Sequence, residues 1–225
     1  MNILIISDNE KIKNEIARIL KSKSIINYTL IESKSLDLND SKVINDLIEK
    51  YQLVISAHCK KMFPSSLFNK IRCINIHPGF NPYNRGWYPQ VFSIINKLPL
   101  GVTIHEIDEQ LDHGDIILQE EINCYQHDTS LSLYNRIIDL EIKLFESNFD
   151  KIIYNKYTKS KMLTEGNINY KQDFNNLCTL DLNHKGTLNE HIDYLRALTH
   201  GNFNNAYFFD NNGDKIFVKI ILTKQ

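Results

Sequence analysis

Residues 73–79 read Cys73-Ile74-Asn75-Ile76-His77-Pro78-Gly79. A short apolar run ends in two polar side chains and is then broken by Pro-Gly. Runs bounded in this way mark strands buried on both faces of a parallel sheet. Asn2 to Ile6 and Leu53 to Ala57 have the same texture. Between them, Ile12, Ile16, Ile19 and Leu20 recur at helical spacing, Tyr28 to Glu32 reads as a strand, and Val43, Ile44, Leu47 and Ile48 make a second amphipathic stripe. Ser7 with Glu10 is expected to cap the first helix, and Asp40 or Ser41 the second. Strand and helix alternating at this rhythm predict an α/β fold, with an open, mostly parallel sheet carrying helices on both faces.

Beyond residue 79 the pattern is more varied. Residues 81–90 form a turn-rich loop, and Val91 to Lys97 a short helix. Gly101 to Ile107 and Asp115 to Ile122 read as strands around the tight turn Asp112-His113-Gly114. A long helix starts at Ser130 or Ser132, its stripe built from Leu133, Ile137, Leu140, Leu144 and Phe145. From about residue 155 Asn, Lys, Tyr and Thr dominate. Helix signal returns at Leu188 to Thr199, and a hairpin signal follows at Ala206 to Ile221 around Asp210-Asn211-Asn212-Gly213. The expected organisation is a Rossmann-like catalytic domain over 1–154 and a small helix-and-hairpin appendage over 155–225, used for nucleotide contacts, dimerisation or both.

The composition excludes several classes. Of 225 residues, 26 are Lys or Arg and 27 Asp or Glu, a formal charge of -1. A non-specific nucleic-acid binder needs a basic face to displace counterions, so nucleic acid is not an expected partner. No apolar run reaches about 18 residues, so no membrane helix is expected. The first residues carry no basic segment ahead of an apolar one, so a cytoplasmic location is expected. Cys59, Cys73, Cys124 and Cys178 contain no C-x-x-C pair; free thiols are expected, and no metal site. The turn after the first strand reads Ser7-Asp8-Asn9-Glu10, without the glycine fingerprint of dinucleotide binding, and no Walker A motif is present.

Asn75 and His77 lie two residues apart on a strand and so point to one face. They sit at its carboxyl end, where ligands bind in open parallel sheets. An amide and an imidazole there suit acyl chemistry, one polarising a carbonyl and the other moving a proton. A lone histidine would more often be a satisfied strand cap; the paired Asn and the Pro-Gly break favour function. The turn after Gly101-Val102-Thr103-Ile104-His105 could bring Asp112 beside His77. Asp108 and Glu109 read as solvated, and the side chain of Asp115 is expected to be held within its own turn.

These segments together, with Ser56-Ala57-His58-Cys59-Lys60, resemble the tetrahydrofolate-dependent formyltransferases, whose signature is an Asn-x-His strand end, a Gly-Val-Thr-x-His strand and an Asp-x-Gly loop. The resemblance covers roughly residues 50–125. Asn81-Pro82-Tyr83-Asn84-Arg85-Gly86-Trp87-Tyr88-Pro89, and later Leu195-Arg196-Ala197-Leu198-Thr199-His200, are similar to the nucleotide-sugar N-formyltransferase branch. The resemblance implies transfer of a formyl group from N10-formyltetrahydrofolate to the 4-amino group of a dTDP-linked 4-amino-4,6-dideoxyhexose of glucose configuration, for surface polysaccharide (O-antigen) assembly. It implies that Asn75 donates to the developing oxyanion and that His77 and Asp112 handle protons, with the formal base left open between them and the His77 pKa raised by the carboxylate. It nominates His58, Cys59, Met62, Phe63, Ile107 and Leu111 for the folate. It nominates Lys60, Arg85, Gly86, Trp87, Tyr88, Arg196, Asn205 and Tyr207 for the nucleotide sugar, and a homodimer. Another acceptor, such as glycinamide ribonucleotide or methionyl-tRNA, and a non-catalytic folate- or nucleotide-binding module are the alternatives.

Overall fold

The computed structural model describes residues 1–25 and 27–225. In chain order the elements are β1 (Ile3–Ile6), α1 (Glu10–Ser22), β2 (Tyr28–Ile31), α2 (Ser41–Lys50), β3 (Leu53–Ala57), α3 (Ser65–Phe68), β4 (Arg72–His77), β5 (Arg85–Gly86), α4 (Pro89–Asn96), β6 (Leu100–Glu106), β7 (Ile116–Ile122), α5 (Ser130–Ser147), α6 (Phe149–Ile153), β8 (Ile168–Asn169), α7 (Lys171–Cys178), α8 (Leu188–Leu198), β9 (Tyr207–Phe209) and β10 (Lys215–Phe217). The main sheet runs β2-β1-β3-β4-β6-β7. Pairs from β2 to β4 are parallel, while β6 is antiparallel to both β4 and β7.

Strand alternation divides the core in two. Ile3, Ile5, Leu53, Ile55, Ala57, Ile74 and Ile76 pack against the stripes of α1 and α5. Leu4, Ile6, Val54 and Cys73 face the other way, onto Ile44 and Leu47 of α2 and onto Phe63 and Leu67. The strands are apolar on both faces because both faces are covered.

The caps differ in detail from the expected ones. Asn9, not Ser7, caps α1 by accepting from the Ile12 N–H, because Ser7 is still held to Ile31 by the sheet. Asp40 caps α2. Thr129 caps α5 in a reciprocal box with Ser132, and Thr187 with Glu190 does the same for α8. The hairpin pairs Lys215 with Phe209 and Phe217 with Tyr207.

The C-terminal part shares the core of the rest. α8 packs on α4 and α5, and Ala197, Leu198 and Ala206 join the cluster that contains Ile55 and Ile137. β8 pairs with β5, far back in sequence. Leu198→Ala is therefore expected to cost about 2–5 kcal/mol, in the same cooperative transition that Ile55→Ala weakens. Urea unfolding followed by far-UV circular dichroism and by intrinsic fluorescence checks this. A separate, earlier transition for the Leu198 variant would contradict it.

Candidate active site

Asn75 and His77 end β4, and the register with β6 sets Asn75 opposite His105 and His77 opposite Thr103. A bulge between Ile104 and His105 re-aims the strand at this point, a common device beside reaction centres. Asp112 arrives from the β6–β7 turn in a left-handed backbone conformation, φ 48°, which a non-glycine residue holds only where its surroundings enforce it. The enforcing contacts are visible. Asn81 Nδ2 donates to the Asp112 carbonyl at 2.8 Å, and the Gly86 N–H donates to Asp112 Oδ2 at 3.0 Å. Asn75 Nδ2 donates to Asp112 Oδ1 at 2.9 Å. Asn81 is itself fixed, its N–H on Thr103 Oγ1 at 3.0 Å and its carbonyl on Gln119 Nε2 at 2.6 Å.

His77 Nδ1 lies 3.4 Å from Asp112 Oδ2, and His105 Nε2 lies 3.7 Å from Oδ1. The His105 Nδ1 sits 2.6 Å from the Glu106 carbonyl. A carbonyl only accepts, so Nδ1 carries the hydrogen, and Nε2 is left to accept from Asn75 Nδ2 at 3.3 Å. Both hydrogens of the Asn75 amide are thus engaged, and donation to an oxyanion requires release of one bond, the longer one to His105. His77 Nε2 is buried without a partner. A Cβ on Gly79 would collide with that ring, so position 79 has room for glycine alone.

The electrostatics correct one expectation. Burial pushes the His77 imidazole down to about 4, outweighing the opposing pull of Asp112. The carboxylate does not raise it above the ordinary value. Burial alone would raise the Asp112 carboxyl, but His77, His105 and the Gly86 N–H together hold it at about 2. At neutral pH the pair is a carboxylate beside a neutral imidazole.

Beside this set opens a small cleft open to solvent on one side. Met62, Phe63, Ile107 and Leu111 give it apolar walls; Ser56, Asn75, His105 and Asp112 give it a polar floor. Cys59 and Lys61 also line it. Five of the six nominated folate residues therefore stand at the cavity. His58 does not. Strand alternation would aim it to the same side as Ser56, but its φ of 59° turns the ring to the opposite face of the sheet. There Nε2 meets the fully buried Glu141 Oε2 at 2.8 Å. Burial works against the charged ring, yet Glu141 outweighs it and keeps the His58 pKa above normal.

The residues nominated for the nucleotide sugar divide. Lys60 is exposed, and its N–H donates to Asp8 Oδ2. Arg85 is buried; Nη1 donates to the Leu111 carbonyl at 3.3 Å and Nη2 to the Glu165 carbonyl at 3.0 Å. It holds loops rather than presenting a free guanidinium. Gly86 serves Asp112. Trp87 and Tyr88 turn toward the C-terminal part, with Lys171 over the Trp87 ring and Phe174 4.2 Å from the Tyr88 ring. Arg196 is buried too. Its guanidinium donates to the Tyr125 and Asp128 carbonyls and to Asp193, so it is not offered to a diphosphate. Asn205 Nδ2 donates to the Leu198 carbonyl, and the Tyr207 hydroxyl pairs with Thr179. These three lie at the packing of the C-terminal segment, not at the cavity. The sequence reading passed over His105, Asn81 and Gln119. His105 stood in the Gly-Val-Thr-x-His strand, and its antiparallel register with Asn75 is the signal that assigns it. Asp108 lines the same cleft but is bound to His113 at 2.7 Å, and Asp115 is bound to Lys159 at 3.4 Å. Among the described residues no group of His, Cys, Asp and Glu is arranged to hold a metal ion, and no helix is long and apolar enough to cross a membrane.

An amide, a neutral imidazole and a dry carboxylate at the carboxyl edge of an open sheet define a site for group transfer at a carbonyl carbon. The sequence comparisons narrow that class. Residues 1–148 match the family profile described as formyl transferase, and residues 173–224 that of the N-formyltransferase dimerization C-terminal domain. The chain belongs to the formyl transferase family. It is 52% identical over 179 residues to a dTDP-4-amino-4,6-dideoxyglucose formyltransferase of Mycobacterium bovis, covering 80% of this chain and 76% of that one. A sugar N-formyltransferase structure from Shewanella superposes with a TM-score of 0.95 at 39% identity, over 100% of this chain and 99% of that chain. The formyltransferase PseJ of Anoxybacillus kamchatkensis, solved with UDP-4,6-dideoxy-4-formamido-L-AltNAc and tetrahydrofolate, superposes with a TM-score of 0.65 at 25% identity, over 77% of this chain and 87% of that chain.

Two outcomes follow from the geometry. Between the ordinary histidine value of 6.5 and about 4, the unfolded chain binds a proton at position 77 that the folded chain refuses. Stability must therefore fall as pH falls through that window. His77→Gln, which cannot titrate there, is expected to lose less stability than the parent across the same range, measured by urea unfolding at either end; an equal loss would contradict the burial argument. Arg196→Ala leaves the buried Asp128 carbonyl without its donor, while the Tyr125 carbonyl keeps the Asp128 N–H, and is expected to cost about 1–3 kcal/mol. Thermal melts, with calorimetry of dTDP binding at a temperature where the variant is folded, separate this from a ligand role. A variant that melts like the parent but loses dTDP affinity would restore the sequence assignment.

Proposed function

We propose that the protein transfers the formyl group of N10-formyltetrahydrofolate to the 4-amino group of dTDP-4-amino-4,6-dideoxyglucose. The observation that carries the reading is the ionised Asp112 beside a neutral His77 whose Nε2 has no partner, with Asn75 and Asp112 lining the cleft next to the pair. Bound there, the folate supplies the activated formyl carbon. The amine attacks only when unprotonated. His77, neutral at pH 7, accepts the proton that the amine sheds as the new C–N bond forms. Asp112 stabilises the imidazolium so produced and passes the positive charge no further than the pair. Asn75 gives up its longer bond to His105 and donates to the formyl oxygen as negative charge gathers there. The proton then returns through His77 to N10 as the old C–N bond breaks.

The apolar surface left on the C-terminal part, with Leu188, Phe203, Phe209 and Phe217 exposed, fits assembly as a homodimer through the region matched by the dimerization profile. A cytoplasmic location and a role in surface polysaccharide assembly belong to the same proposal, since dTDP sugars are activated donors for glycosyl transfer.

His77→Asn is expected to fold and to lose about 10²–10⁴ in kcat, the usual worth of a positioned acid-base group. Asp112→Asn is expected to lose far more kcat than Asp108→Asn, and Asp115→Asn to act mainly on stability through Lys159. Formyl transfer to the dTDP amino sugar, with melting curves alongside, measures all four. A His77→Asn enzyme with near-normal kcat, or an active Asp112→Asn enzyme beside an inactive Asp115→Asn one that melts normally, would overturn the assignment.

A further inference from the structure

Two features have no part in the chemistry described above. The motif Asn84-Arg85-Gly86 contributes no free side chain to the cavity, and residues 149–172 fall between the two matched profiles. In the structure they meet. β8 runs parallel to β5, with Arg85 beside Ile168 and Gly86 beside Asn169. The Arg85 N–H donates to the Asn167 carbonyl at 3.0 Å, and the Trp87 N–H to the Asn169 carbonyl at 2.9 Å.

A hub of four asparagines locks this bridge. Asn84 is fully buried. Its Oδ1 accepts from Asn96 Nδ2 at 2.8 Å, from Asn167 Nδ2 at 2.9 Å and from Asn169 Nδ2 at 3.3 Å. Its Nδ2 donates to Ser93 Oγ at 3.1 Å, and its N–H to Asn167 Oδ1 at 2.9 Å. Only an amide both accepts from three donors and donates to a hydroxyl in this position; a carboxylate lacks the donor and an apolar side chain lacks both. A fully matched buried network fixes one geometry, and a broken one leaves several groups unsatisfied.

What the bridge holds is Gly86. Its φ is +90°, and a Cβ there would strike the Asn169 carbonyl, so strand and linker touch with no space to spare. From this position the Gly86 N–H meets Asp112 Oδ2 at 3.0 Å, while Arg85 holds the neighbouring Leu111 carbonyl. We propose that Asn84, with Asn167 and Asn169 of the linker, is a positioning group for the reaction: the amide hub fixes the β5–β8 bridge so that the Gly86 N–H orients the Asp112 carboxylate toward His77. The linker is thereby a wall of the reaction centre and not a tether. This rests on the reading of Asp112 as a catalytic group.

The groups facing Asp112 are Asn75 and His77 from β4, His105 from β6, and Arg85 and the Gly86 N–H from β5, with the Asp108–His113 pair on its own turn. Of these, the hub controls β5. Loosening it weakens the hold of the Gly86 N–H on the ionised carboxylate, so the carboxyl titrates at higher pH.

The experiment uses the full chain with Asn167→Ala, at a half-buried position, and Asn84→Ala. Three quantities are read: kcat and KM for both substrates, the pH profile of kcat, and the titration of the Asp112 carboxyl by carbon NMR, with Asp112→Asn to assign the signal. Asn167→Ala is expected to lower kcat on the order of tenfold to a hundredfold, with both KM values within about twofold of the parent, to move the acid limb of the profile downward as the carboxylate supports the imidazolium less, and to raise the Asp112 titration. If Asn84→Ala does not fold, Asn167→Ala decides alone. A folded Asn167→Ala enzyme with parental kcat, profile and Asp112 titration would overturn the proposal. A parent that formylates no dTDP amino sugar, while the Asp112 titration still rises in Asn167→Ala, would refute the acceptor and support the positioning role.

Discussion

A carboxylate kept ionised out of water must be surrounded by donors. Asp112 meets that demand with the Asn75 amide, the Gly86 N–H and the His77 imidazole, and most of the local architecture follows from it. Its backbone is left-handed because only that conformation turns the carboxyl back over the sheet edge, and the Asn81 amide on its carbonyl keeps it there. Two glycines are obligatory for the same reason. Gly79 makes room for the His77 ring, and Gly86 brings a bare N–H within reach of the carboxylate. The antiparallel entry of β6 beside β4 brings His105 and Thr103 opposite Asn75 and His77, which an all-parallel sheet would not do at this point.

The consequence for chemistry is a division of charge within one pair. Both members are dry, yet burial acts on them with opposite outcomes. The imidazole loses its proton because nothing outweighs its desolvation. The carboxyl loses its proton because donors outweigh its own. The result is a proton acceptor with a counter-ion already in place, which needs no rearrangement when the imidazolium forms. The arrangement is supported from a distance: the C-terminal segment shares the main core, and the linker clamps the loop that carries Gly86.

Much of the fold was legible in the sequence. The doubly apolar strands at Ile3–Ile6, Leu53–Ala57 and Arg72–His77 announce a sheet covered on both faces, and the stripes of α1 and α5 say where the helices lie. Asn75, His77 and Asp112 were legible because chemistry-bearing residues stood at a strand end and in a tight turn. The errors share one cause. Arg85, Trp87 and Arg196 are polar or aromatic residues in irregular segments, and a sequence does not tell a side chain that grips a ligand from one that satisfies buried carbonyls. His58 was nominated from the resemblance, and a motif does not show the left-handed turn that sends it to Glu141. The direction of the His77 shift was misjudged because proximity of a carboxylate is visible in a motif, whereas full burial is not.

The central claim is that His77 is a neutral imidazole beside an ionised Asp112. Nitrogen NMR of the selectively labelled histidine, assigned by its loss in His77→Asn, tests this most directly. The account predicts a neutral ring throughout the physiological range, with protonation only near pH 4. A ring that titrates at 6.5 or above, with the carboxylate holding the proton on it, would contradict the account.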